Sequence, residues 1–64
     1  MFQVGLAQSP DRDDPMFTTK SQAIQHALSQ NEDHISVVYA VWDVTKIGYA
    51  ETVCLIFQGD IYKA

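Results

Sequence analysis

Two apolar runs limit what this chain can fold into: ISVVYAVWDV (residues 35–44) and TVCLIF (residues 52–57), joined by TKIGYAE. Val, Ile, Tyr, Trp, Phe and Thr favour a pleated, half-buried surface, so both runs read as strands of one hairpin. In the connection, Lys46-Ile47-Gly48 suits a three-residue loop with glycine in the left-handed region. That loop pairs Val41 with Val53, Tyr39 with Leu55 and Val37 with Phe57. The opposite face then carries Val38, Ala40, Trp42, Cys54 and Ile56, with Thr52 beside Trp42. The same register sets Asp43 against Glu51, an unfavourable like-charge pair. A one-residue change of loop length relieves it and flips every pairing.

Both faces of the hairpin are apolar in either register. A sheet with one wet face alternates apolar and polar residues, and this one does not. A single helix covers one side only, so the second side needs another cover: a partner, a second copy, or the loop over residues 9–17.

The 64 residues form one domain, residues 1–64. A chain of this size buries only about 60% of its unfolded surface, close to the lower limit for folding alone. Cys54 is the only cysteine, which excludes an internal disulfide. No Cys/His zinc spacing occurs, so association is the remaining support. The net charge is −4, and the four cations Arg12, Lys20, Lys46 and Lys63 are scattered. Nucleic-acid binding driven by counterion release needs clustered cations, so no nucleic-acid partner is expected. The opening MFQVGLAQ lacks the charged and long apolar regions of a signal peptide. No run approaches the ~20 apolar residues of a membrane span. No membrane partner is expected, and the expected compartment is the cytoplasm.

Upstream, Phe2, Val4 and Leu6 alternate with Gln3, Gly5 and Ala7, the pattern of a short strand. SPDRDDP follows as an acidic loop. Thr19 with Gln22 three residues on matches a capping box. Ala23, Ile24, Ala27 and Leu28 share one face of a helix expected over Lys20–Gln30, ending at Asn31 as a left-handed cap. After the hairpin, Gly59-Asp60 suits a type II′ turn leading to a short edge strand, Ile61–Lys63.

No constellation fixes a chemistry. Asp11, Asp13 and Asp14 are the nearest approach to a metal motif, but a calcium loop also needs a turn glycine and a bidentate glutamate. A solvated loop that caps its own backbone is the favoured reading, so no metal and no cofactor are expected. His26 and His34 lack helical zinc spacing and read as exposed. Cys54 lies between Val53 and Leu55 and reads as a small core hydrophobe, not a nucleophile. No GxSxG, P-loop or GxGxxG motif is present, so neither an enzyme nor a small-molecule substrate is indicated.

The expected fold is α+β: a three- to four-stranded, mainly antiparallel sheet in the order β-α-β-β-(β), with one helix on one face. The expected function is a non-enzymatic protein-interaction module that forms a homodimer, or binds another protein, through the helix-free face bearing Trp42, Val38, Ala40, Ile56 and Thr52. The alternative is an acidic inhibitor that mimics nucleic acid against a basic surface. A small metal-dependent enzyme using the aspartate loop ranks last.

Overall fold

The computed structural model describes residues 1–63. The alternating segment forms β1 (Phe2–Leu6), and a two-residue strand, β2 (Met16–Phe17), returns along its outer edge. The acidic loop connects them. This hairpin was not expected, because two residues carry no readable alternation.

Thr19, in extended conformation, opens the helix: its hydroxyl oxygen accepts the Gln22 N–H at 3.2 Å, as the capping pattern requires. Helix α1 spans Lys20–Asp33 and runs past Asn31, where it was expected to stop. Asn31 is helical and fully buried. Its Nδ2 donates to the carbonyls of His34 (3.2 Å) and Val37 (2.9 Å). Its Oδ1 accepts the Gly59 N–H at 2.8 Å. Tertiary hydrogen bonds thus outweigh the local capping preference. His34 caps the helix instead, donating its N–H to Asn31 C=O.

The apolar runs form β3 (Tyr39–Asp43) and β4 (Glu51–Phe57), followed by β5 (Asp60–Lys63). The sheet has five strands in the order β2-β1-β3-β4-β5, every neighbour antiparallel. The fold is α+β with one helix on one face, and one strand more than expected.

The hairpin register is split. Trp42 pairs with Thr52 and Asp43 with Glu51, as the sequence suggests, but beyond them a bulge shifts the pairing by one residue. Val41 therefore faces Cys54 instead of Val53, and Tyr39 faces Ile56 instead of Leu55. A bulge sets an extra residue against one partner residue, here freeing Val53 from the ladder. The like-charge pair persists because the Asp43 carboxylate accepts both the hydroxyl and the backbone N–H of Thr45.

The β3–β4 connection is longer than three residues. A turn closed by Tyr49 N–H on Lys46 C=O puts Gly48 at φ 74°, the left-handed value expected of it. The β4–β5 turn is Gln58–Gly59, not Gly59–Asp60, since Phe57 pairs with Asp60. Both turn residues have positive φ (52° and 79°), the signature of type I′.

Val4, Tyr39, Val41, Cys54 and Ile56 lie beneath the helix, against Ala23 and Ala27. Ile24 and Leu28 flank this seam half-buried. The alanines bring the helix axis close to the sheet, and the larger residues seal its sides.

Candidate functional site

The face away from the helix is the expected interaction surface. Residues paired across neighbouring strands share a face, so Gln3, Trp42 and Thr52 form one row. Gly5, Ala40, Leu55 and Tyr62 form the next. Phe57 and Asp60 continue it at the far end.

The shifted register corrects the composition expected for this face. Ile56 and Cys54 belong to the other side, fully enclosed under the helix. Leu55, Phe57 and Tyr62 stand where they were expected. Trp42 and Val38 are half-buried, Ala40 is buried by its neighbours, and Thr52 is exposed. Sequence reasoning set Leu55 and Phe57 on the other face because a bulge leaves no compositional mark, and it gave Tyr62 no face.

The acidic loop folds over the β1 end of this face. The two N–H groups of Gln3 Nε2 are shared among the carbonyls of Asp11, Arg12 and Asp14 at 3.1–3.2 Å, binding the loop to the sheet. A Cβ on Gly5 would collide with the Asp14 carboxylate, so glycine here permits close approach. The hydrogen bonds that hold the loop to the sheet are made at Gln3 of β1. Beyond Ala40, across β4 and β5, Leu55 and Phe57 remain half-buried and Tyr62 is 51% exposed.

The aspartates serve the loop itself. Asp14 Oδ2 accepts the Asp11 N–H, and Asp11 Oδ1 accepts the Asp13 N–H, both at 2.9 Å. Among the described residues, no group of three or more His, Cys, Asp or Glu side chains is arranged to hold a metal ion. His26, expected to be exposed, is half-buried and packs on Phe17, with ring centroids 5.0 Å apart. His34 is exposed.

Burial raises the Cys54 thiol above its ordinary pKa, with Lys20 opposing the shift weakly. The structure therefore favours the neutral thiol over the reactive thiolate. The hydrogen bonds from Thr45 hold Asp43 below the ordinary carboxylate value of 3.8.

One cleft of about 340 Å³ opens between α1 and the outer edge of β1, with Asp14, Pro15, His26 and Tyr39 in its lining. Among the described residues, no helix is long and apolar enough to cross a membrane. Comparison with protein-family models, with curated proteins and with solved structures finds no match to this chain.

Proposed function

We propose that this chain is a non-enzymatic interaction module that pairs with a second copy of itself through the helix-free surface of β3, β4 and β5. The observation carrying this reading is the incomplete cover of that face. The acidic loop is held at Gln3 and Gly5 of β1, while on the rest of the face Trp42, Leu55 and Phe57 are half-buried and Tyr62 is exposed, an aromatic and aliphatic band. Contiguous apolar surface of this kind is a liability in a free monomer and an anchor in an interface. A second copy is the favoured occupant because a twofold axis lets one patch satisfy itself. The outer edge of β5 borders the same band. Residues 60–63 are exposed throughout, so edge pairing extends the contact.

Sedimentation equilibrium across micromolar concentrations tests the proposal. The expected result is a dimer that Tyr62→Glu converts to a folded monomer, because Tyr62 is exposed and its replacement leaves the core intact. Trp42→Glu is expected to do the same or to precipitate. A native chain that stays monomeric at high micromolar concentration overturns the proposal. So does a dimer indifferent to Tyr62→Glu.

A further inference from the structure

The cleft beside β1 contains an interrupted hydrogen-bond ladder. Ala7 N–H donates to Val38 C=O, and Val44 N–H to Met1 C=O, so the odd-numbered residues of β1 face β3. The peptide groups of Val4 and Leu6 therefore face the outer edge. There Val4 N–H reaches Pro15 C=O at 3.1 Å, but Pro15 has no N–H to return to Val4 C=O. Past this point the loop turns away onto the sheet face, held by Gln3. Leu6 C=O is taken by Ser9 N–H, and Leu6 N–H has no partner among the described residues.

The edge consequently offers one acceptor, Val4 C=O, and one donor, Leu6 N–H, on either side of Gly5. That spacing accepts the amine and carbonyl of a single extended residue lying parallel to β1. Pro15 and Asp14 block the Val4 end, where a preceding residue would have to run. At the Leu6 end Ser9 N–H occupies the last carbonyl, so a second residue has to leave the edge on the α1 side, where His26 and Gln30 line the cleft.

Charge agrees with this polarity. The Asp14 carboxylate lies against Gly5: its Oδ2 accepts the Asp11 N–H, and its Oδ1 has no partner among the described residues. No Lys or Arg lines the cleft. Tyr39, 8% exposed, is part of its lining, and its hydroxyl has no partner among the described residues yet is not fully buried.

We propose that this notch binds the N-terminal residue of a peptide. The ammonium donates to Val4 C=O, the first carbonyl accepts Leu6 N–H, and the chain leaves on the α1 side past His26 and Gln30. This is terminal-amine capture on a strand edge. It is independent of the dimer, which uses the opposite end of the sheet.

The test is an NMR titration of the ¹⁵N-labelled protein with alanyl-alanine amide and with its N-acetylated form. The expected result is a downfield shift of the Leu6 amide with the free-amine peptide only. Asp14→Asn should weaken binding about tenfold, the value of one charge-assisted hydrogen bond. Pro15→Ala supplies the missing N–H to Val4 C=O, so it should abolish binding while the remaining amide spectrum stays folded. Equal binding of the acetylated peptide overturns the proposal. So do an unmoved Leu6 amide at millimolar peptide and full binding by Pro15→Ala.

Discussion

Asn31 is the polar residue on which the most structure converges. Its amide joins the end of α1 to the segment leading into β3 and to the β4–β5 turn, through the bonds to His34, Val37 and Gly59. Truncation leaves those peptide groups unpaired, and each buried unpaired group costs roughly 1–3 kcal/mol. Asn31→Ala should therefore destabilise the fold by at least that amount in urea denaturation. A midpoint within error of the parent would show that water replaces the side chain. Asp43 supplies a pH prediction. Its folded pKa is depressed by Thr45, so its contribution is complete above the ordinary value of 3.8 and is lost as pH falls through the lower folded value. By NMR, the Asp43 carboxyl should titrate below 3.8 in the parent and return toward it in Thr45→Ala. An unchanged titration would assign the shift to another group.

At the scale of elements, the helix docks through small residues. Ala23 and Ala27 are fully enclosed, and Ile24 and Leu28 only half-buried. Leu28→Ala should therefore cost less than the ~2–5 kcal/mol of a fully buried leucine. Ala27→Leu should cost more than most surface changes, on the order of 1–3 kcal/mol, because it drives the helix off the sheet. Thermal melts should show Ala27→Leu destabilised, and a melt like the parent's would mean that the helix sits further out. The β4–β5 turn makes a second test. Gln58 holds φ at 52°, a conformation asparagine tolerates better. Gln58→Asn should raise stability by up to roughly 1 kcal/mol, the scale of a relieved turn conformation. A lower melting temperature would contradict the type I′ assignment.

For the whole molecule, the balance is set by how few residues must cover a two-faced sheet. The radius of gyration is 10.5 Å, so the fold is compact with five strands and a single helix among the described residues. A closed core predicts that Cys54, buried and un-ionised, reacts with a thiol reagent only on opening of the fold. Labelling in native buffer should be far slower than in denaturant. Equal rates would place Cys54 at the surface. Apolar self-association through the β3–β5 face should also persist from low to molar salt, because screening weakens charge pairs rather than burial. Dissociation at high salt would transfer the interaction to the acidic surface.

Local chemistry in the sequence determined the element types. Alternation at Phe2–Leu6, the β-branched and aromatic runs around Tyr39–Asp43 and Glu51–Phe57, and the Thr19 cap each act within a few residues. That one helix lies on only one face of an apolar sheet was legible for the same reason: two apolar strands and one short helix are visible in the sequence. Only the tertiary structure decided which side chains occupy which face. A bulge between Thr52 and Cys54 sends Ile56 beneath the helix and Leu55 outward, although both residues are equally apolar. The helix end and the loop over β1 belong to the same category. Asn31 is bound by Gly59, 28 positions away, and Gln3 by carbonyls at Asp11, Arg12 and Asp14. Hydrogen bonds between distant segments depend on where the chain has folded, and no local pattern encodes them.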